Sequence, residues 1–278
     1  MKLKNILVPI DFSKCSNNAL LHAIELAERS DARLTLLHCY TIQIPAAEVT
    51  IDIQPELTMQ YRKIAERNFE HLKNTTPALK KVVHQEIIEV SFVRDGILET
   101  AGKIEADLIV MGTNGADNRM DAFFGTNTYH TIKKSKIPVL AIPAEASFKP
   151  FQKILFAADF KRVEDVDRLG MIKTLARLFK AEVQILHVGK GWGELNTHQT
   201  SEAAAIIEYF DLTKHSYHFT REDIEVEVAI EEHLKEYHNE LLVLIARKHS
   251  FSETLFSKKV TRPSVLHTSV PLLTLPEQ

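Results

Sequence analysis

Glycine is scarce in this chain, with nine residues in 278 and none after Gly193. Beyond that point the backbone has no residue free of a Cβ with which to close tightly around an anion. Cysteine is scarcer still. Cys15 and Cys39 cannot build a disulfide scaffold, and their spacing suggests no metal, so two reduced thiols are expected. No apolar run approaches the roughly 20 residues that a membrane helix needs. The start, MKLKNILVPID, lacks the long apolar core and small-residue cleavage site of a signal peptide. A cytoplasmic protein is the expectation. Lys and Arg total 34 against 37 Asp and Glu, a net charge of -3, which offers no excess to hold nucleic acid or an anionic membrane.

Several catalytic and metal signatures are also missing. There is no Gly-Lys-Ser/Thr run of a P-loop, no GxGxxG and no HExxH. Gly189-Lys190-Gly191-Trp192-Gly193 has the wrong spacing for phosphate and reads as a flexible turn. Among 13 histidines, His215 and His218 are close enough to share a helix face, yet no comparable ligand set accompanies them. No Ser/His/Asp or Cys/His set can be argued from residue order.

What is present centres on Met111 to Asn127, MGTNGADNRMDAFFGTN. It follows the apolar run Leu108-Ile109-Val110, which reads as a buried strand. Thr128 to Ser135 has helical potential, and a further apolar run spans Ile137 to Ile142. The order is strand, glycine-bearing loop, helix, strand. Gly112 and Gly115 let backbone N–H groups approach a phosphate. A helix starting near Thr126, just after Gly125, would aim its free N–H groups and positive dipole end at the same anion. Its Thr126 hydroxyl can cap the helix or donate to a phosphate oxygen.

This G-x2-G-x9-G-S/T pattern resembles the nucleotide-binding signature of the universal stress protein family. ILVPIDFS at 6–13 looks like that family's first strand with its aspartate, and LTLLHCY at 34–40 looks like its second. The resemblance implies an α/β fold with parallel strands in the order 3-2-1-4-5. It implies adenine-nucleotide contacts from Pro9, Ile10 and Asp11 toward the ribose or adenine edge, and from the chain near Cys39 toward the adenine. Met111, Gly112, Asn114 and Gly115 would surround the ribose and phosphates, with Gly125, Thr126 and Asn127 at the phosphate end. The implied ligand is ATP, or another adenine nucleotide, with Mg2+.

The unit occurs twice. KNILVPIDF at 4–12 matches QKILFAADF at 152–160, and LTLLHCY at 34–40 matches VQILHVG at 183–189. DLIVM at 107–111 matches ELLVL at 240–244, and IPVLAIP at 137–143 matches VPLLTLP at 270–276. Asp11 thus corresponds to Asp159 and His38 to His187, histidines expected to satisfy backbone groups. Two doubly wound five-stranded domains are expected, 1–144 and 151–278, with Ala144 to Pro150 as linker.

In the first copy, helical stripes run through Ala19, Leu20, Ala23, Ile24 and Ala27, then Leu57, Tyr61, Ile64, Ala65, Phe69 and Leu72. Glu86 to Val93 reads as its third strand, and Ile97, Leu98, Ala101 and Ile104 as its third helix. The second copy is shorter, mainly for want of a connection like Thr41 to Pro55. It also lacks the site's glycines, since Ile245 stands opposite Gly112, and Lys248, Lys258 and Lys259 opposite Gly115, Gly125 and Thr126. With Arg247, these lysines read as a solvated basic loop.

The sequence therefore points to a stress-response protein that binds an adenine nucleotide in its first domain. Without a P-loop lysine or a clear carboxylate base it is at most a slow ATPase. The alternative is an interaction module independent of nucleotide, in which Asp11 and Ser13 only shape a turn and the glycines only permit a tight loop. The family resemblance implies that the two fifth strands, Pro138 to Ile142 and Pro271 to Leu275, pair within the chain as a pseudo-dimer, and a further homodimer is open.

Overall fold

A computed structural model describes residues 2–42, 53–113, 125–158, 160, 166–188, 195–220, 224–246 and 270–277. The first half alternates β1 (Asn5–Pro9), α1 (Lys14–Ser30), β2 (Arg33–Tyr40), α2 (Ile53–Thr75) and β3 (His84–Val90). It continues through α3 (Val93–Lys103), β4 (Leu108–Gly112), α4 (Thr126–Lys134) and β5 (Val139–Ile142). The second half runs β6 (Lys153–Ala157), α5 (Gly170–Phe179), β7 (Glu182–Val188), α6 (Thr197–Phe210) and β8 (His215–Thr220). It closes with α7 (Val226–Tyr237), β9 (Leu241–Ala246) and β10 (Leu272–Pro276). Both halves carry the α/β fold with a parallel sheet.

The strands form one ten-stranded sheet in the order β3-β2-β1-β4-β5-β10-β9-β6-β7-β8. Read from the edge inward, each half has the order 3-2-1-4-5. Pairing is parallel throughout except at the centre, where β5 and β10 run antiparallel with Ala141 opposite Leu272, Leu140 opposite Leu273 and Val139 opposite Thr274. The inner strands are unbroken apolar runs such as LIVMG and LLVLIA, buried on both faces by helices. The edge strand β3 instead mixes His84, Gln85, Glu86 and Glu89 with Ile87 and Ile88, and charge on an edge discourages further pairing.

Ser13 caps α1 by accepting a hydrogen bond from the Ser16 N–H, and Asp31 ends it in a left-handed conformation. The expected stripe from Ala19 to Ala27 is fully buried. The stripe on α2 is corrected in part. Ala65, Phe69 and Leu72 are buried, but Tyr61 is 41% and Ile64 46% exposed. A 23-residue helix is about 35 Å long, whereas the seven residues of β3 span about 23 Å, so the start of α2 overhangs the sheet.

Three further expectations shift. The third strand occupies 84–90 rather than 86–93, because the Ser91 N–H makes the last ladder bond, to the Tyr40 carbonyl, and Phe92 is already the N-cap of α3. The connection expected over 41–55 is already helical from Ile53, and much of the second half's shortness comes from helices, α6 having 14 residues against 23 in α2. Finally, His215 and His218 lie on the strand β8, where a spacing of three puts them on opposite faces rather than on one helical face.

A single hydrophobic core under α1, α2, α5 and α6 runs through Val8 and Leu140 into Phe156 and Leu273, so it crosses the sheet's midline. A second core under α3, α4 and α7 does the same through Ala141, Leu272 and Leu242. The linker is docked onto α1. Asn18 Nδ2 donates to the carbonyls of Pro143 (3.0 Å) and Ala146 (2.8 Å). Phe148 packs edge-on against His22, and the Arg29 guanidinium lies 5.2 Å over the Phe179 ring of α5.

Candidate functional site

The strand order reverses between β1 and β4, which lie side by side with Ile6 opposite Leu108 and Leu7 opposite Ile109. In an open parallel sheet the crevice beyond the carboxyl ends of such a pair is where ligands bind. The turn after β1 forms one wall. Pro9 is half-buried, Ile10 is buried and Asp11 is exposed. Asp11 Oδ1 accepts the Ser13 N–H at 3.0 Å, so this carboxylate shapes the turn into α1.

Phe12, between them, has φ +63°, a left-handed conformation that costs a residue with a Cβ about 1–2 kcal/mol. Packing offsets the strain, for the Phe12 ring lies 4.8 Å from His38 and edge-on to Phe69 at 5.2 Å. His38 Nδ1 is 2.8 Å from the Ile10 carbonyl oxygen. A carbonyl only accepts, so Nδ1 carries the proton. Meanwhile the Ile10 N–H donates to the Leu37 carbonyl at 2.8 Å. Residue 10 is thus held from both sides.

Cys39, at the end of β2, has its sulfur against Gly96 of α3. Burial pushes its thiol pKa up, the Ser91 hydroxyl bond opposes that rise, and Glu89 adds to it. Beside the crevice this residue offers a neutral thiol and its backbone.

The opposite wall is built by β4 and α4. Met111 is buried and Gly112 half-buried. A Cβ on Gly112 would lie 2.6 Å from Cys15 Sγ and 3.0 Å from the Cys15 backbone, so the absent side chain lets the first turn of α1 close on the strand. The Thr113 N–H donates to the Ile142 carbonyl, and the Thr113 carbonyl accepts the Gly125 N–H at 2.6 Å. Thr128, buried in the first turn of α4, donates from Oγ1 to the Gly112 carbonyl at 2.7 Å. These two bonds pin the N-terminus of α4 to the end of β4.

Gly125 is the N-cap, at φ −62° and ψ 159°, and supplies no side-chain cap. No acidic residue lies in the first turn, and Lys133 and Lys134 occupy the last. The dipole's positive end therefore faces the crevice uncompensated by the helix's own side chains. Thr126 and Asn127 are exposed there. Asn114 and Gly115 lie outside the described residues.

The second half repeats one wall. His187 Nδ1 is 2.8 Å from the Ala158 carbonyl oxygen, the Ala158 N–H donates to the Leu186 carbonyl, and Phe160 (φ +47°) stacks on His187 at 4.4 Å. The expectation that His38 and His187 serve backbone groups holds in both. The other wall differs. Ile245 is half-buried at the end of β9, and the α-helix after β6 begins only at Gly170, giving 10 residues against 17 in α1. Asp159, Gly189 to Gly193 and the basic segment from Arg247 to Lys259 lie outside the described residues.

Sequence reasoning passed over Phe12, Cys15, Thr113 and Thr128. The Asp-Phe pair at the same place in both copies was a usable signal for Phe12. Thr128 had a weaker one, sharing a helical face with Thr131 and Ile132.

Comparison with known proteins agrees with this architecture. The model of the universal stress protein family matches residues 2–143, just over half the chain. Universal stress protein MJ0531 of Methanocaldococcus jannaschii is 32% identical over 150 residues, covering 50% of this chain and 81% of that protein. Universal stress protein MJ0577 of the same organism is 26% identical over 157 residues, covering 52% and 97%. The crystal structure of a universal stress protein from Archaeoglobus fulgidus aligns with 99% of this chain and 97% of its own at a TM-score of 0.70. At 16% identity that likeness is one of fold, and it extends over both halves. With the family model and the 32% identical relative both on the first half, this chain belongs to the universal stress protein family.

Proposed function

We propose that the first half binds an adenine nucleotide, ATP with a divalent ion, in the crevice between the β1 turn and the N-terminus of α4. The observation that carries this reading is the pinned start of α4, whose N-cap has no side chain and whose first turn has no acid. Anions are drawn to such a terminus. Gly125, Thr126 and Asn127 would take the phosphate end. Asp11, Pro9 and Ile10 would take the nucleoside side, with the backbone near Cys39. Asn114 and Gly115 complete the set by family resemblance. Among the described residues no group of three or more His, Cys, Asp or Glu is placed to hold a metal, so Mg2+ would arrive on the nucleotide's own phosphates.

No described group of the crevice is assigned as a base for an attacking water, so the protein acts as a binder rather than an efficient hydrolase. Residues 1–144 and 151–278 form two domains related as a pseudo-dimer, and the protein works in the cytoplasm in a stress response. Equilibrium dialysis against ATP and magnesium tests the site. Gly125→Ala combined with Thr126→Ala keeps the backbone conformation, since φ −62° suits any residue. It is expected to weaken binding at least tenfold. Undiminished affinity in that variant would overturn the assignment, and a wild type that binds no nucleotide would favour an interaction module.

A further inference from the structure

Recurring hydrogen bonds define equivalent positions in the two halves. Asp107 Oδ2 takes the N–H groups of Lys4 and Asn5 as Glu240 Oε2 takes those of Gln152 and Lys153. His84 Nδ1 meets the Val82 carbonyl as His215 Nδ1 meets that of Thr213. Left-handed Glu105 and His238 follow α3 and α7. On this correspondence the first half has Thr35, Ile87 and Thr100 where the second has Gln184, His218 and His233. A seat that is neutral under α3 has become titratable under α7.

His233, buried on α7, stacks on Tyr237 at 4.2 Å and 18°. Its Nε2 lies 3.1 Å from Gln184 Oε1, which also accepts Asn239 Nδ2 at 2.9 Å. An amide oxygen only accepts, so Nε2 bears the proton and Nδ1 is bare in the neutral ring. His218 stands 4.6 Å from His233 and 4.8 Å from Tyr237, edge to face with both. Ser216 Oγ donates to Glu182 Oε1 at 2.9 Å and lies 3.0 Å from His218 Nε2. With its proton given to Glu182, Ser216 accepts from His218 Nε2–H. The neutral Nε2–H tautomer satisfies both sets of partners, and charging either ring places a cation beside its neighbour.

The surrounding charges do not compensate fully. Glu182 is held by Lys214 at 2.9 Å, and the Lys153 ammonium, also near Glu182, donates to the Tyr237 carbonyl. Burial lowers the pKa of His218, with Glu182 and Glu236 pulling it part of the way back. Burial and then His218 itself hold His233 down to about 4.

We propose that the His218–His233 pair makes the seat of α7 acid-sensitive, so that protons favour a state in which α7 has lifted from β7 and β8 while α3 stays seated. The lift uncovers the apolar face closed by Ala229 and Ile230, which are buried on α7, and gives the second half a proton-gated surface.

Hydrogen exchange of the full chain between pH 7 and pH 5, corrected for intrinsic rates and referenced to α3, tests this. Opening of α7 relative to α3 is expected to rise by up to about tenfold per pH unit for each histidine kept neutral only in the closed state. His218→Ile should remove one histidine's share of that rise, and His218→Ile with His233→Thr should remove it all. Equal behaviour of α7 and α3, or a response that survives the double variant, would overturn the proposal. Imidazole titration by NMR on the wild type decides the matter independently of variant folding. Depressed values for both rings are expected, and ordinary ones would refute it.

Discussion

The carboxyl ends of the two half-sheets share one wall and differ in the other. In both, a histidine donates to the carbonyl of the residue that precedes the Asp-Phe pair in the sequence. Only the first half adds a glycine at the strand end that admits the neighbouring helix, where the second has Ile245. The clamp survives in a half whose sequence has no glycine beyond Gly193. It therefore does not depend on the glycine wall. The glycine wall, present in one half, is where binding is to be sought. The reverse holds beneath the third helices, where the second half sets His218 and His233 against Gln184 at positions that Ile87, Thr100 and Thr35 hold in the first.

The largest test of the comparison concerns whether the halves are separable at all. Leu140 and Leu273 are register partners across the seam and fully buried. Leu273→Ala should cost about 2–5 kcal/mol. Because both cores cross the seam, urea unfolding followed by probes in each half should show one shifted transition. Loss confined to the second half would break the picture of a shared core.

Next in size is the acid response of the second half. His233 has a folded pKa of about 4, below its unfolded value, so its neutral form contributes stability that is fully present above about pH 6.5. That contribution falls away as pH drops toward 4, reaching about 3 kcal/mol at most. His233→Thr should flatten stability against pH in this window, as measured by denaturant midpoints at several pH values.

Smaller again is the cost of filling the first half's close approach. Gly112→Ala should destabilise by about 1–3 kcal/mol through overpacking. Cys15→Ala should restore part of it, since the sulfur is the nearest obstacle and the Cys15 backbone remains at 3.0 Å. A double-mutant cycle by thermal unfolding measures the coupling. The smallest effect is at the surface. Lys14 and Glu145 pair at 3.3 Å with their side chains 80% and 84% exposed, and Lys14→Gln should change stability by less than about 0.5 kcal/mol.

Much of the fold was legible in the sequence because buried parallel strands must be continuous apolar runs, and LIV at 108–110 or LLVL at 241–244 has no other comfortable home. The repeat was legible for the same reason, as strand cores change slowly in type. Helix extent was not. Whether Tyr61 and Ile64 face a core depends on how far α2 overhangs β3, a tertiary matter that periodicity along one helix does not contain. The site was half legible. Gly112 and Gly125 announced themselves by what they lack, but the contacts that use them come from elsewhere in the chain. Cys15 lies about a hundred residues before Gly112, and Thr128 reads as an ordinary polar helix residue until the Gly112 carbonyl is placed beside it. His215 and His218 do not share a helix face because they lie on a strand, and the contact of His218 with His233 joins residues that no local spacing relates.

The central claim, that two halves of one fold differ in having a ligand wall, is tested most directly by calorimetric titration of the full chain with ATP and magnesium. One nucleotide per chain is predicted, with the heat lost in the Gly125→Ala/Thr126→Ala variant. Two nucleotides per chain, or a titration that the variant leaves unchanged, would contradict it.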